Sequence, residues 1–219
     1  MKASSKRSNN LQGTVTCPGD KSISQRSVII GSLLDEDIQI SGFLFAEDPL
    51  STIGALRNLG HEIEIHDDLV SVKNSRKNIS DQKFSCNLGN SGTGFRLISG
   101  LIAGQEIDAE LTGDDSLSKR PMNRIIKPLN EMGAKIESNK GCAPLTFNKS
   151  QLVKEFLYEM PIASAQLKSC LLLAAISSNM KLTLHENKVS RDHTERMLKY
   201  FGANICLLYT SPSPRDLRE

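Results

Sequence analysis

The stretch PGDKSISQR, residues 18–26, sets Lys21 and Arg26 around two hydroxyls, immediately before an apolar run. Ser22 reads as a helix cap, which leaves Lys21 just outside the helix and Arg26 one turn further along the same face. A cap, a compact ammonium and a planar fork of donors suit a phosphate or a carboxylate. The same residues suit a capped helix with solvated charges, and the stretch alone does not choose between the two. A P-loop is excluded, because the glycine spacing before Lys-Ser is absent.

Further stretches have the same character. LGNSGTGFR (88–96) places Gly89, Gly92 and Gly94 among Asn90, Ser91 and Thr93, ahead of Arg96. Glycines there let backbone N–H groups approach a ligand, and the hydroxyls and amide add directed contacts; a plain flexible turn is the other reading. TGDDSLSKRPMNR (112–124) sets Lys119 and Arg120 before Pro121. Proline suits the first helical position, so Arg120 is expected at a second helix mouth. ASAQLKS (163–169) offers Ser164, Gln166 and Lys168, and SRDHTER (190–196) offers Ser190, Arg191, Asp192 and His193. His193 assembles into no Ser/His/Asp or Cys/His arrangement and reads as structural. The acids Asp20, Glu47, Asp48, Asp114 and Asp115 all fall near turns or helix starts, where capping accounts for them. The chain is rich in anion binders and poor in proton-transfer groups.

Two landmarks that would position these residues recur along the chain. LRNLGHEIEI (56–65), LNEMGAKIES (129–138) and LKYFGANICL (198–207) each read as a helix end, a glycine stop and a strand. SISQRSVIIGSLL (22–34), SGTGFRLISGLIAG (91–104) and SAQLKSCLLLAAI (164–176) each run from small polar residues, through one cation (Arg26, Arg96 or Lys168), into an apolar helix body. Strands are expected after them at 38–42, 107–113 and 181–186. Both landmarks return at roughly 70-residue intervals, which predicts three copies of an α/β unit. Related by approximate rotation, the units would bring equivalent helix N-termini to one face. Each terminus would bring unpaired N–H groups and a cation one turn in, an oxyanion cradle drawn from distant parts of the chain.

Gross composition is compatible with this. The 219 residues (24.1 kDa) are 38% hydrophobic and 24% charged with net charge +2, a globular balance that demands neither nucleic acid nor an anionic membrane. Cys17, Cys86, Cys142, Cys170 and Cys206 lack the close pairs of zinc or redox sites, and their odd number argues against a disulfide framework, so reduced thiols in a cytoplasmic protein are expected. The longest apolar run, CLLLAAI (170–176), is too short to span a bilayer. No signal-peptide pattern opens the chain, and residues 1–10 read as a flexible lead-in.

The motifs PGDKSISQR, LGNSGTGFR, LTGDDSLSKRPM, ASAQLKS and SRDHTERM, in this order, resemble the N-terminal half of the 5-enolpyruvylshikimate-3-phosphate synthase (3-phosphoshikimate 1-carboxyvinyltransferase) family. The resemblance runs from about residue 11 to about residue 206, in the form of that family's less common second sequence class. It implies transfer of the enolpyruvyl group of phosphoenolpyruvate to the 5-hydroxyl of shikimate 3-phosphate with release of phosphate, a step toward chorismate and the aromatic amino acids. It also implies an inside-out, barrel-like α/β domain of three repeated units, with a second such domain across a cleft. On that pattern 11–18 is a first strand belonging with the other domain and 19–206 is the N-terminal domain, incomplete. Residues 207–219, with Pro212 and Pro214, resemble translated adaptor sequence rather than the family's next strands.

Carried over by motif, Lys21 would contact both substrates as the electrostatic catalytic residue. Ser22, Arg26, Ser164, Gln166, Ser190 and Arg191 would hold shikimate 3-phosphate with it. Asn90, Gly92 and Arg120 would line the phosphoenolpyruvate side. Ala165 stands where other members have a second serine, which removes one hydroxyl contact. Gly92 is where a larger residue would crowd glyphosate. The resemblance implies no cofactor or metal, no nucleic acid or membrane partner, a monomer at full length, and a 219-residue piece inactive by itself. Other readings are a non-catalytic anion-binding module, a purely structural α/β protein, and a UDP-N-acetylglucosamine enolpyruvyl transferase. The last would have Lys-Asn at 21–22 and a cysteine within 114–121, and neither is present.

Overall fold

A computed structural model of the chain describes residues 3–6, 10, 12–74 and 82–206. In chain order the elements are α1 (Lys21–Gly31), β1 (Ile38–Ile40), α2 (Glu47–Asn58), β2 (Ile63–His66), β3 (Leu69–Val72), β4 (Phe84–Asn87), α3 (Gly92–Gln105), β5 (Ala109–Thr112), a 3-10 turn (Leu117–Lys119), α4 (Asn123–Glu131), β6 (Lys135–Asn139), β7 (Cys142–Asn148), β8 (Glu155–Met160), α5 (Ala165–Ser178), β9 (Lys181–Glu186) and α6 (His193–Tyr200). The apolar runs after Arg26, Arg96 and Lys168 are the bodies of α1, α3 and α5.

The strands form separate sheets: β1–β3–β2, β4–β5–β7–β6 and β8–β9. The first is antiparallel throughout. In the second, β4 and β5 run parallel while β5–β7 and β7–β6 are antiparallel. The β8–β9 pair is parallel, with Phe156 opposite Leu182 and Tyr158 opposite Leu184. Each parallel pair has a helix between its strands in sequence, α3 between β4 and β5 and α5 between β8 and β9, the crossover that parallel pairing requires.

The core lies where α1, α3 and α5 meet. Ile29, Phe95, Leu97, Leu101, Leu167 and Leu171 are fully buried there. Between α3 and α5 the backbones themselves approach: a Cβ added at Gly100 or Gly104 would meet the carbonyl oxygens of Cys170 and Ala174 inside contact distance. Side chains larger than hydrogen do not fit at such a crossing, which is why small residues recur on this face of α3. The helices α2, α4 and α6 are followed by Gly60, Gly133 and Gly202, all at positive φ (91°, 107° and 84°) as the glycine stops predict.

Some expectations need correction. The N-cap of α1 is Asp20, not Ser22: its Oδ1 accepts from the Ile23 amide at 2.8 Å, so Lys21 and Ser22 both lie inside the first turn. A carboxylate there satisfies the orphan donor and also meets the helix dipole, which a serine hydroxyl does less well. Pro121 does not begin a helix. Arg120 ends the 3-10 turn, and α4 starts only at Asn123. No strand follows Gly202 within 203–206, and residue 207 lies outside the described residues. Apart from these corrections, residues 12–18, expected as a strand belonging with another domain, are exposed and join none of the described sheets, while residue 11 lies outside the described residues. Residues 207–219, and 1, 2 and 7–9 of the lead-in, also lie outside the described residues. Among the described residues, no helix is long and apolar enough to cross a membrane.

Candidate functional site

The N-termini of α1, α3 and α5 converge, and hydrogen bonds between side chains show how. From α1, Gln25 Nε2 donates to Ser91 Oγ, the N-cap of α3, at 2.5 Å, and to Thr52 Oγ1 of α2 at 3.1 Å. From α5, Gln166 Nε2 donates to Thr93 Oγ1 at 2.9 Å, while its Oε1 accepts from Arg96 Nη1 at 2.9 Å. Arg26 closes the ring: Nη2 donates to Ser169 Oγ of α5 at 3.0 Å and Nε to Thr194 Oγ1 of α6 at 2.7 Å. Three helix mouths, each carrying unpaired backbone donors, are therefore held against one another by buried polar contacts.

The repeated cations do not serve alike. Arg26 is 4% exposed, and its guanidinium also donates from Nη1 to the Ser22 carbonyl at 3.0 Å. That commits three partners' worth of a five-donor group to the protein, so Arg26 staples α1 to α5 and α6 and offers a ligand only what remains. Lys168 is buried and ion-paired to Glu186 (2.7 Å) and Glu195 (2.6 Å). Arg96 is half-buried on Gln166 and the Gly92 carbonyl. The expectation of three free cations one turn into three helices is thus replaced by three staples, because a long cation inside a converging helix set finds protein oxygens first.

The open positive charge comes from other residues. Lys21 is exposed and pairs with Asp48 at 2.9 Å, a surface contact worth ~0–1 kcal/mol that an arriving anion competes with easily. Arg120 donates from Nη2 to Asn90 Oδ1, and a Cβ at Gly92 would lie 2.8 Å from Arg120 Nη1 and 3.3 Å from Arg96 Nη1. Arg124, which the motif reading left out, is exposed and reaches Ser164 Oγ at 3.5 Å. It lies four residues after Arg120 in the same TGDDSLSKRPMNR stretch, and its place in the first turn of α4 brings it to Ser164. Ser164 caps α5, and its oxygen accepts from the Leu167 amide, leaving the hydroxyl proton to donate. Ser190 spends its proton on Glu186 Oε1 at 2.5 Å, and Arg191 beside it is exposed.

Electrostatics divides these cations into two groups. Burial, then the charges of Arg124 and Arg120, pushes the Arg96 pKa down. Burial, then Arg191, pushes that of Arg26 down, with Glu195 and Asp20 acting in the opposite direction. Like charges so placed repel each other until an anion sits between them. Arg96 and Arg120 flank Gly92, with Arg120 on Asn90 and Arg124 on Ser164, while Arg26, on the Ser22 carbonyl, feels the charge of Arg191. Four carboxylates around these mouths are already engaged: Asp20 caps α1, Asp48 holds Lys21, and Glu186 and Glu195 hold Lys168. Burial pushes the Cys86 thiol up to about 11 and the Cys170 thiol higher still, which suits packing rather than nucleophilic attack. Among the described residues, no group of three or more His, Cys, Asp or Glu is placed to hold a metal ion.

Fold and site together define an α/β protein in which three helix mouths converge beside a cluster of cations. Comparison with known proteins gives the family: residues 5–212 match the model of EPSP synthase (3-phosphoshikimate 1-carboxyvinyltransferase), and the chain belongs to that family. The 3-phosphoshikimate 1-carboxyvinyltransferase of Ruthia magnifica subsp. Calyptogena magnifica is 48% identical over 201 residues, 91% of this chain and 46% of the relative. The enzyme of that name from Thermoanaerobacter sp. (strain X514) is 45% identical over 201 residues, 91% of this chain and 47% of the relative. The solved structure of EPSP synthase from Acinetobacter baumannii superposes with a TM-score of 0.81 at 40% identity, covering 90% of this chain and 45% of that one. The chain spans about half the length of the relatives it matches.

Proposed function

We propose that this chain supplies one face of an enolpyruvyl transfer site, at which the 5-hydroxyl of shikimate 3-phosphate takes the enolpyruvyl group of phosphoenolpyruvate and phosphate leaves. The observation that carries this reading is the convergence of α1, α3 and α5 with several arginines at their mouths, since the reaction brings together two phosphorylated substrates. In this reading Arg191, Ser22, Ser164, Gln166, Ser190 and the remaining donors of Arg26 hold shikimate 3-phosphate. Arg120, Asn90 and the close backbone at Gly92 hold phosphoenolpyruvate. Lys21 leaves Asp48 and bridges the two anions, where its charge offsets that developing in transfer. The repeated α/β unit belongs to the same reading: α1, α3 and α5 are its equivalent helices, and 19–206 is one such three-unit domain. A UDP-sugar acceptor is disfavoured by Ser22 and by a 114–121 segment without cysteine.

The test is calorimetric titration of the 219-residue chain with shikimate 3-phosphate, beside Arg191→Ala. Arg191 is exposed and bonds to nothing that Arg26 needs, so the variant keeps its fold. Loss of one charged hydrogen-bonding partner predicts an affinity about tenfold weaker or more. Equal affinities, or no heat from the folded wild type, would sink the reading.

A further inference from the structure

Behind the arginine group at Arg26 lies a buried ion cluster that the transfer reaction does not itself require. Lys168 of α5 is 6% exposed and sits between Glu186, the last residue of β9, and Glu195, in the first turn of α6. Glu186 is also the acceptor of the Ser190 hydroxyl, through its other oxygen. Glu195 is 3% exposed, and its Oε2 is buried without a hydrogen-bond partner among the described residues. Beside it, Thr194 receives Arg26 Nε and lies 2.6 Å from Ser169 Oγ. The segment 187–192, which carries Ser190 and Arg191, forms no helix or strand and is exposed over Asn187–Val189. It runs between two carboxylates, Glu186 and Glu195, that meet on the one Lys168 ammonium.

We infer that Lys168 is a positioning residue: its ammonium clamps the end of β9 and the start of α6 to α5, and so sets where Ser190 and Arg191 stand. The cluster does a second job through charge. Two carboxylates lie beside the Arg26–Arg191 group and would repel a phosphate arriving there. Lys168 neutralises one of them and Arg26, next to Glu195, offsets the other. Burying so many charges is a poor way to gain stability, because desolvation consumes most of the Coulomb gain. It is an effective way to fix geometry, since a buried carboxylate that loses its cation cannot stay where it is. The inference rests on the proposed shikimate 3-phosphate reading for its consequence in binding, but the clamp itself is a statement about the segment.

The experiment therefore has two readouts on the 219-residue chain, applied to wild type, Lys168→Met and Lys168→Arg. Amide hydrogen exchange measures the hold on 187–192, and calorimetry measures shikimate 3-phosphate affinity. Lys168→Met should speed exchange across 187–192 by about tenfold relative to amides in α3, and weaken binding by a similar factor, with Lys168→Arg recovering part of both. If Lys168→Met does not fold, Glu186→Gln takes its place. It removes one arm, so exchange should rise at 187–190 while α6 keeps its protection through Lys168 and Glu195. Exchange in 187–192 that stays at the wild-type rate, or that rises no more than in α3, overturns the clamp. A wild type that fails to bind shikimate 3-phosphate overturns the functional reading instead, and the exchange data still decide the clamp.

Discussion

Gly92 shows how one residue's size can matter to the site without mattering to the fold. It opens α3, and the Cβ of an alanine would fall 2.8 Å from Arg120 Nη1, the end of a flexible side chain. The guanidinium can move, so the backbone need not. Gly92→Ala is expected to leave the denaturation midpoint within the ~1 kcal/mol that a Gly-to-Ala change in a helix contributes. Arg120 should nevertheless leave Asn90, and phosphate or phosphoenolpyruvate affinity should fall. The side-chain resonances of Arg120 and a phosphoenolpyruvate titration check this, and an undisturbed Arg120 in a folded Gly92→Ala would show that the guanidinium does not depend on this gap. Residue types at the mouths were legible from motifs alone. Their commitments were not: Arg26 reads as a free anion binder, yet its Nε partner Thr194 lies 168 positions further along the chain. No local pattern reveals a bond of that span.

The helix elements were read closely, because an apolar body behind a small polar start carries its own periodicity. The runs 22–34, 91–104 and 164–176 fall on α1, α3 and α5, and the strand at 181–186 coincides with β9. The strands β3, β4, β7 and β8 had no separate expectation. β8 alternates half-buried with exposed positions and is charged at Glu155 and Glu159, so its apolar face is thin. The segment 12–18, expected as a strand belonging with another domain, joins none of the described sheets. At this scale the α3–α5 crossing makes the sharpest prediction. Gly100→Ala forces a methyl against the Cys170 backbone, which cannot swing aside, and should destabilise the chain by about 1–3 kcal/mol or more. Gly54→Ala in α2, where an added Cβ meets nothing within 4 Å, should stabilise by roughly 0.5–1 kcal/mol through the unfolded state. Urea unfolding of the pair reads both signs, and equal midpoints would mean the two helices are not in backbone contact.

At the scale of the whole molecule, the recurrence of an apolar helix behind a small polar start, and of a glycine stop after a helix, was readable in the sequence and is met by α1, α3 and α5 and by Gly60, Gly133 and Gly202. What a sequence pattern does not convey is which charges end up opposed. That decides the last prediction. Enolpyruvyl transfer needs a proton delivered to the methylene carbon of phosphoenolpyruvate as the 5-hydroxyl attacks the adjacent carbon and loses its own. It then needs the resulting methyl group to lose a proton as phosphate departs, which restores the methylene. Of the carboxylates around the described mouths, Asp20 is held by the Ile23 amide, Glu186 and Glu195 by Lys168, and Asp48 by Lys21 until substrate draws Lys21 away, so no acid and base stand ready as a pair among these four. Each missing acid or base typically forfeits ~10²–10⁴-fold in rate, and substrates left open to water lose alignment as well. The 219-residue polypeptide by itself is therefore expected to bind shikimate 3-phosphate and to release no phosphate from the substrate pair above the background with phosphoenolpyruvate alone. Adding the separately produced C-terminal half of a related enzyme should restore turnover, if the missing groups lie there. Turnover by the chain unaided, abolished by Lys21→Met, would mean that one of these engaged carboxylates leaves its partner to do the proton transfer.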